Sequence, residues 1–351
     1  MSIYPDQLYH GDLARSHAQW HWLFDYQKYM THRLPGIVVT KKGTVIIYCE
    51  ARTHKETDGH GVGSLDHCLM DIFIQRSVDQ GKTFSAPQYI AYGNTRFETM
   101  NNPVMIVGND NILHLFYCRN CAVGNGSAWY TRSYDDGVSW EPAKDLKEVI
   151  SAVPHNLLLF GPGHGLCTSK GRLIVPVWLT PPGLSEMHVY TMFSDDNGET
   201  WHMGERASEN EDETTIAELS DGRIMLNSRK AKCRRISISD DGATNWSQTY
   251  ADPNLPDPGC MGGMDTVRIN GLPHALLFVN CSSTTDRDHV TVKCSFDDGK
   301  SWKSFLIDEF EGGYADVAID QNGKVYVIYE TFMGVITRLT SFSFYDAFMK
   351  Q

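Results

Sequence analysis

Short apolar runs rich in Val, Ile, Leu, Tyr and Phe recur along the whole chain, and polar, glycine-containing segments separate them. They fall at Gly36–Thr40, Thr44–Cys49, Asp71–Ile74, Leu113–Tyr117, Leu173–Trp178, His188–Met192, Ile224–Leu226, Ala275–Val279, His289–Val292 and Val325–Tyr329. Their brevity and their β-branched and aromatic content predict strands rather than helices. Lys42-Gly43, Asp221-Gly222 and Asn322-Gly323 stand between them as turn dipeptides. Helix-like spacing is nearly confined to Asp12–Met30, where Leu13, Trp20, Leu23 and Tyr26 recur. The first ~30 residues are therefore expected to form a partly helical extension.

Five times an apolar run is followed by Ser-x-Asp, a few residues rich in Gly, Thr and Ser, and then an aromatic. The copies are Ser77-Val-Asp79 to Phe84, Ser133-Tyr-Asp135 to Trp140, Ser194-Asp-Asp196 to Trp201, Ser239-Asp-Asp241 to Trp246 and Ser295-Phe-Asp297 to Trp302, the fourth with its glycine one place early. Each reads as a hairpin turn: the Asp side chain accepts from backbone amides across the loop, Gly supplies positive φ, and the aromatic tucks beneath. The motif is thus structural and not catalytic. Self-similar units of roughly 45 to 60 residues, each with a few short strands, are the signature of blades in a β-propeller. Five copies in 351 residues leave room for a sixth blade closed by the two chain ends.

A propeller has no single core to outgrow, so one domain over residues 1–351 is expected, and no low-complexity linker interrupts it. The formal charge of −12 disfavours nucleic acid and anionic membrane as partners, and nowhere do 18 apolar residues run together. The opening residues lack a basic segment followed by an apolar one, the pattern of a secretory leader. Nine cysteines is an odd number, and Cys49, Cys118, Cys233, Cys281 and Cys294 sit in strand-like runs as small hydrophobes. Together these features lead us to expect a soluble protein of a reducing, cytoplasmic compartment. Cys118-Arg-Asn-Cys121 has half of a zinc-site spacing, but no second pair follows, so it is read as structural. No metal or organic cofactor is expected.

The Asp-box repeat as it stands here resembles that of the sialidase (neuraminidase) superfamily, whose fold is a six-bladed propeller of four-stranded antiparallel blades. The resemblance extends from Arg33 to Glu330, with the motifs in the family's order. His32-Arg33-Leu34-Pro35 looks like the family's Arg-x-Pro signature, Arg229 closes Leu226-Asn-Ser-Arg229, and Arg287 stands eight residues before the fifth Asp box. The resemblance makes these three the triad that grips the sugar carboxylate. Three guanidinium forks around one carboxylate supply charge-assisted, partly bidentate bonds that lysine could not reproduce.

Gly312-Gly313-Tyr314-Ala315-Asp316 is similar to the segment carrying the family's nucleophile, and Glu213-Thr-Thr-Ile-Ala-Glu218-Leu matches the Glu-x-x-x-x-Glu pattern whose first member partners the tyrosine. Glu218 is the alternative base. A phenol of pKa about 10 needs a neighbouring carboxylate to take its proton. A neutral phenol also avoids the repulsion that an anionic nucleophile would feel from the sugar's own carboxylate, which explains why sialidases depart from the two-carboxylate scheme. Asp66, eleven residues before the first Asp box, fits the family's general acid/base, with Asp58 in reserve. Glu330 stands where the family orients its first arginine, Arg52 resembles the arginine bordering the 4-hydroxyl pocket, and Phe160-Gly-Pro-Gly-His164-Gly is similar to a segment shaping the site. Where the family often has Asp-Pro, this chain has Asn101-Asn102-Pro103. The resemblance implies an exo-α-sialidase acting with retention on sialylated oligosaccharides or glycoconjugates. A hydrolase for another 2-keto sugar acid (Kdn or Kdo), or a non-catalytic sialoglycan-binding propeller, are the alternatives.

Overall fold

A computed structural model describes residues 29–53, 69–93, 98–120, 126–331 and 336–350. The expected strands form, and they assemble into six sheets set in a ring, an all-β six-bladed propeller. The first blade is Tyr29–Val39, Val45–Thr53, Met70–Ser77 and Gln88–Ala91, each antiparallel to the next. The fourth (Thr214–Glu218, Ile224–Ser228, Lys232–Ser239, Tyr250–Asp257) and fifth (Gly263–Val267, Ala275–Cys281, Val290–Ser295, Lys303–Asp308) repeat that plan.

The other three depart from the expected four antiparallel strands. The second blade, built on Met100–Val107, Leu113–Arg119, Ser127–Ser133 and Lys144–Asp145, gains Gly163–His164 as a parallel fifth member beside Val104–Met105. In the third, Leu173–Thr180 and His188–Ser194 are flanked by four short pieces: Leu157–Phe160, Leu166–Cys167, His202–Met203 and Ser208–Glu209. The inner strand is broken because Gly161 and Gly163 take φ of +27° and +90°, conformations open to glycine and costly for other residues. The sixth blade has three strands among the described residues, Ala315–Ile319, Lys324–Thr331 and Ile336–Ser343, all from the C-terminal side. The expected contribution from the N-terminal end, and the expected helical extension, lie on residues outside those described. The two helical segments that are described, Lys147–Ile150 and Tyr345–Met349, are each about one turn, and neither could cross a membrane.

Among the described residues the apolar side chains gather in eight clusters and not in one core: six of them fill the six seams between neighbouring blades, and two smaller ones lie within the first blade and between it and the second. Phe116, Tyr130 and Val104 of the second blade meet Phe160, Val177 and Trp201 of the third, and the fifth and sixth blades share Leu277, Val292, Val317 and Val327. The ring is closed by Ile37 and Val45 of the first blade packing on Ala318, Tyr326 and Ile328 of the sixth.

The Asp boxes fasten those seams. In the first, Asp79 Oδ1 accepts from Thr83 N at 2.9 Å and from Ser77 Oγ at 2.7 Å, while Gly81 takes a φ of +82°. The aromatic of each box packs into the seam with the preceding blade. Trp140, Trp201, Trp246 and Trp302 do so in turn, and Phe84 of the first box reaches back to the sixth blade. Backbone acceptors in the boxes tie the same seams: Arg76 Nε donates to Asp136 O at 2.7 Å, Arg172 Nη1 to Asp241 O at 3.0 Å, and Lys324 Nζ to Gln80 O at 2.9 Å.

Candidate active site at the axial mouth

Antiparallel pairing sets the start of an innermost strand (Tyr29–Val39, Thr214–Glu218, Ala315–Ile319) beside the end of the second strand (Ile224–Ser228, Lys324–Thr331) and the start of the third (Val290–Ser295), and the candidate residues stand at these strand ends. Arg33 comes from the first blade, Glu213 and Arg229 from the fourth, Arg287 from the fifth, and Tyr314 and Glu330 from the sixth. The three guanidinium carbons lie 5.3 Å (Arg33), 5.9 Å (Arg229) and 5.4 Å (Arg287) from the centre of the Tyr314 ring. Separated by up to 254 residues of chain, the arginines surround a single phenol.

The Tyr314 hydroxyl donates to Glu213 Oε1. Arg229 Nη1 donates to Glu213 Oε2 at 2.5 Å and to the Tyr314 oxygen at 2.9 Å. Burial pushes the Glu213 carboxyl above the ordinary carboxylate range, although Arg229 opposes the shift. Burial, with the neighbouring Glu213 charge, pushes the Tyr314 phenol well above its usual value. Both shifts favour the neutral forms, and the phenol donates to the glutamate along one bond through which a proton can pass. Glu218 stands at the opposite end of Thr214–Glu218 and binds Ser169 N at 2.8 Å and Arg268 Nη1 at 2.6 Å. Of the two glutamates, Glu213 is the one that meets the tyrosine.

Glu330 ties the first arginine to the tyrosine's backbone. Its Oε1 accepts from Arg33 Nε at 2.9 Å and Leu34 N at 2.8 Å, and its Oε2 accepts from Tyr314 N at 3.3 Å. Leu34 takes a φ of +56° ahead of Pro35, where the pairing register shifts between Arg33 and Gly36. Such a bulge re-aims side chains at a strand end.

Arg52 is buried, and its Nε and Nη2 reach Glu50 Oε2 at 3.0 and 2.7 Å. The other Glu50 oxygen accepts from Asn102 N at 2.6 Å. Asn102 has a φ of +50°, and its side-chain amide donates to Phe160 O at 2.9 Å. The backbone and side-chain amides of Asn102 in the Asn101-Asn102-Pro103 segment are thus both engaged within the protein. Sequence reasoning passed over Glu50, although its position two residues before Arg52 puts both on one strand face. It also passed over Asp316, two residues after Tyr314 by the same alternation.

Asp316 closes the axis beneath the mouth. His164 Nδ1 lies 3.0 Å from both of its carboxylate oxygens, and its Oδ2 accepts from Ile37 N at 3.0 Å. A Cβ on Gly263 would fall 2.0 Å from Asp316 Oδ1, so only glycine lets the fifth blade approach this closely. Burial alone would lower the His164 pKa, but the Asp316 carboxylate raises it to about 9.

Asp66 and Asp58 lie outside the described residues. So does Cys121, while Cys118 is buried with its thiol 3.6 Å from Leu158 O. Among the described residues no group of three or more His, Cys, Asp or Glu is placed to hold a metal ion.

Residues 64–327 match the model of the BNR repeat-like domain family. The chain is 27% identical over 338 residues to a sialidase of Bacteroides fragilis, a match covering 87% of this chain and 61% of that protein. It is likewise 27% identical over 341 residues to a sialidase of Clostridium perfringens, covering 85% of each. It thus spans less than two thirds of the length of the Bacteroides relative. Among solved structures, the Hadza microbial sialidase Hz136 superposes with a TM-score of 0.82 at 24% identity, over 92% of this chain and 67% of that one. With the family match running across most of its length and a ring of six blades shared with solved sialidases, the chain belongs to the BNR repeat-like domain family.

Proposed function

We propose that this protein is an exo-α-sialidase that releases terminal sialic acids from oligosaccharides or glycoconjugates with retention of configuration. The observation that carries the reading is the convergence of Arg33, Arg229 and Arg287 on a buried tyrosine already bonded to Glu213. Three fixed cations suit a carboxylate held next to the reacting carbon, and the paired phenol supplies a nucleophile that this carboxylate does not repel.

In this scheme Arg33, Arg229 and Arg287 hold the sugar carboxylate, and Arg52 borders the ring's hydroxyls. The Tyr314 oxygen attacks the anomeric carbon as its proton passes to Glu213. The glycosidic bond breaks with its oxygen taking a proton from Asp66, with Asp58 as the alternative donor. Asp66 then removes a proton from water, which attacks the same carbon. The tyrosyl oxygen leaves and recovers its proton from Glu213, so two inversions give net retention. Burial, by holding the Glu213 pKa up, makes it a better acceptor than an exposed carboxylate.

A second reading is a hydrolase for Kdn or Kdo, since the triad reads the carboxylate and not the N-acetyl group. The observation that favours it is Asn102, which stands where the resemblance places a sugar-recognising carboxylate and whose amide donates to Phe160 O at 2.9 Å. Release of 4-methylumbelliferone from the α-glycosides of Neu5Ac, Kdn and Kdo, by wild type and by Tyr314→Phe, separates these readings. Turnover of the Neu5Ac glycoside is expected, with a loss of about 10³-fold or more in the variant. A protein that binds a sialoside but turns over none of the three would be a lectin.

A further inference from the structure

Behind the mouth lies a fully buried ion pair that the proposed chemistry does not use. Arg234 and Asp257 have no exposed side-chain surface, and Arg234 Nη1 lies 3.2 Å from Asp257 Oδ2. The remaining Arg234 donors go to the backbone and side chain of two neighbouring segments. Nε and Nη2 reach Asn227 Oδ1 and Asn227 O at 2.6 and 2.7 Å, and Nη1 also reaches Cys260 O at 2.9 Å. Asp257 in turn caps its own turn, with Oδ1 accepting from Gly259 N at 2.8 Å and Cys260 N at 2.9 Å. From the fifth blade, Asn280 Nδ2 fastens the same turn through Pro256 O at 2.8 Å and Asp257 Oδ2 at 3.1 Å. Lys293 Nζ holds Asn280 in place at 3.0 Å.

Both ends of this network stop at the candidate site. Asn227 is two residues before Arg229 on the strand that delivers it. Gly259, inside the capped turn, is the acceptor for Arg287 Nη2 at 3.4 Å. Cys260 packs in the same apolar cluster as Tyr314. An apolar pair of equal volume would often be as stable as a desolvated ion pair, so stability alone is a poor reason for burying this one.

We infer that Arg234 is a positioning residue: with Asp257 and Asn280 it sets the separation of Arg229 and Arg287, and so the affinity for the substrate carboxylate. A guanidinium is suited to this because its planar fork reaches both segments at once. Lysine would keep the charge but could not reach Asn227 and Cys260 together.

The inference rests on the sialidase reading, and one set of measurements separates the two. Steady-state kinetics on the 4-methylumbelliferyl Neu5Ac glycoside, with wild type, Arg234→Met and Arg234→Lys, are corrected for the folded fraction found by thermal melting. Expected is a rise in KM of about tenfold in Arg234→Met with kcat within about threefold, and no recovery in Arg234→Lys. An unchanged KM in folded Arg234→Met would reduce the network to a structural one, and recovery by lysine would replace positioning by charge alone. If Arg234→Met does not fold, Asn280→Ala, which removes one strut of the turn, should raise KM by about threefold, and an unchanged KM there overturns the inference equally. If wild type turns over nothing, the sialidase reading fails, and calorimetric binding of free Neu5Ac to the same variants decides the positioning question.

Discussion

A phenol attacks only when its proton has somewhere to go, and Tyr314 has one such place. The shared geometry of Tyr314, Glu213 and Arg229 makes the three a unit, so their substitutions should not add. His164 is another residue whose titration the fold shifts. With Asp316 raising its pKa to about 9, it contributes stability that is complete below the unfolded value of about 6.5 and is lost as the pH rises through 9. The charged groups that set it are Asp316 in contact and Asp265 nearby. Melting temperature measured from pH 6 to pH 10 should therefore fall more steeply in wild type than in His164→Gln, and parallel profiles would show that the pair carries no such charge. The arginines, Tyr314, Glu213 and Glu330 could be singled out as candidates from the sequence because each stands in a short motif like those of the family it resembles. Asp316 could not, because its partners His164 and Ile37 belong to other blades, and Glu50, Arg234 and Asp257 could not, because no local pattern marks a buried charge.

At the scale of the element, the five Asp boxes were the most readable feature of the chain, and they form as the turn chemistry predicts. What they do for the molecule was less apparent: each sends its aromatic into the seam with the blade before it. Trp201 lies 4.7 Å from the Phe116 ring and 5.4 Å from Tyr130, both of the second blade. Trp201→Ala should lower the unfolding free energy by about 3–5 kcal/mol, read from urea denaturation, while the folded fraction keeps the wild-type kcat. A loss below about 1 kcal/mol would mean that the seam collapses to fill the space. Several innermost strands, Met100–Val107, Thr214–Glu218, Gly263–Val267 and Ala315–Ile319, escaped sequence reading. They are short, carry Asn, Pro, Asp, Glu or Thr, and are buried by their position on the axis more than by apolar content.

For the molecule as a whole, the ring both creates the site and sets the field around it. A net charge of −12 surrounds a mouth where arginines are gathered, so a substrate meets repulsion at long range and attraction at contact. Between about 10 and 150 mM salt the screening length falls from about 30 to about 8 Å, which removes the first effect before the second. The kcat/KM for a polysialylated substrate should accordingly rise with salt relative to that for a monosialylated one. A ratio independent of salt would show that the local arginine field governs encounter. The same ring makes closure a matter of two distant segments, since Phe84 and Gln80 of the first Asp box meet Tyr326 and Lys324 of the sixth blade.

The sequence by itself determined the blade repeat and the turn at each Asp box. Both depend on neighbours a few residues apart, where backbone conformation and side-chain chemistry act directly. Tertiary structure alone decided that a piece of the third blade's broken inner strand joins the second blade, and that buried charges brace the arginines from behind. Those outcomes depend on which strand ends share the axis, and ring closure fixes that for the whole chain at once.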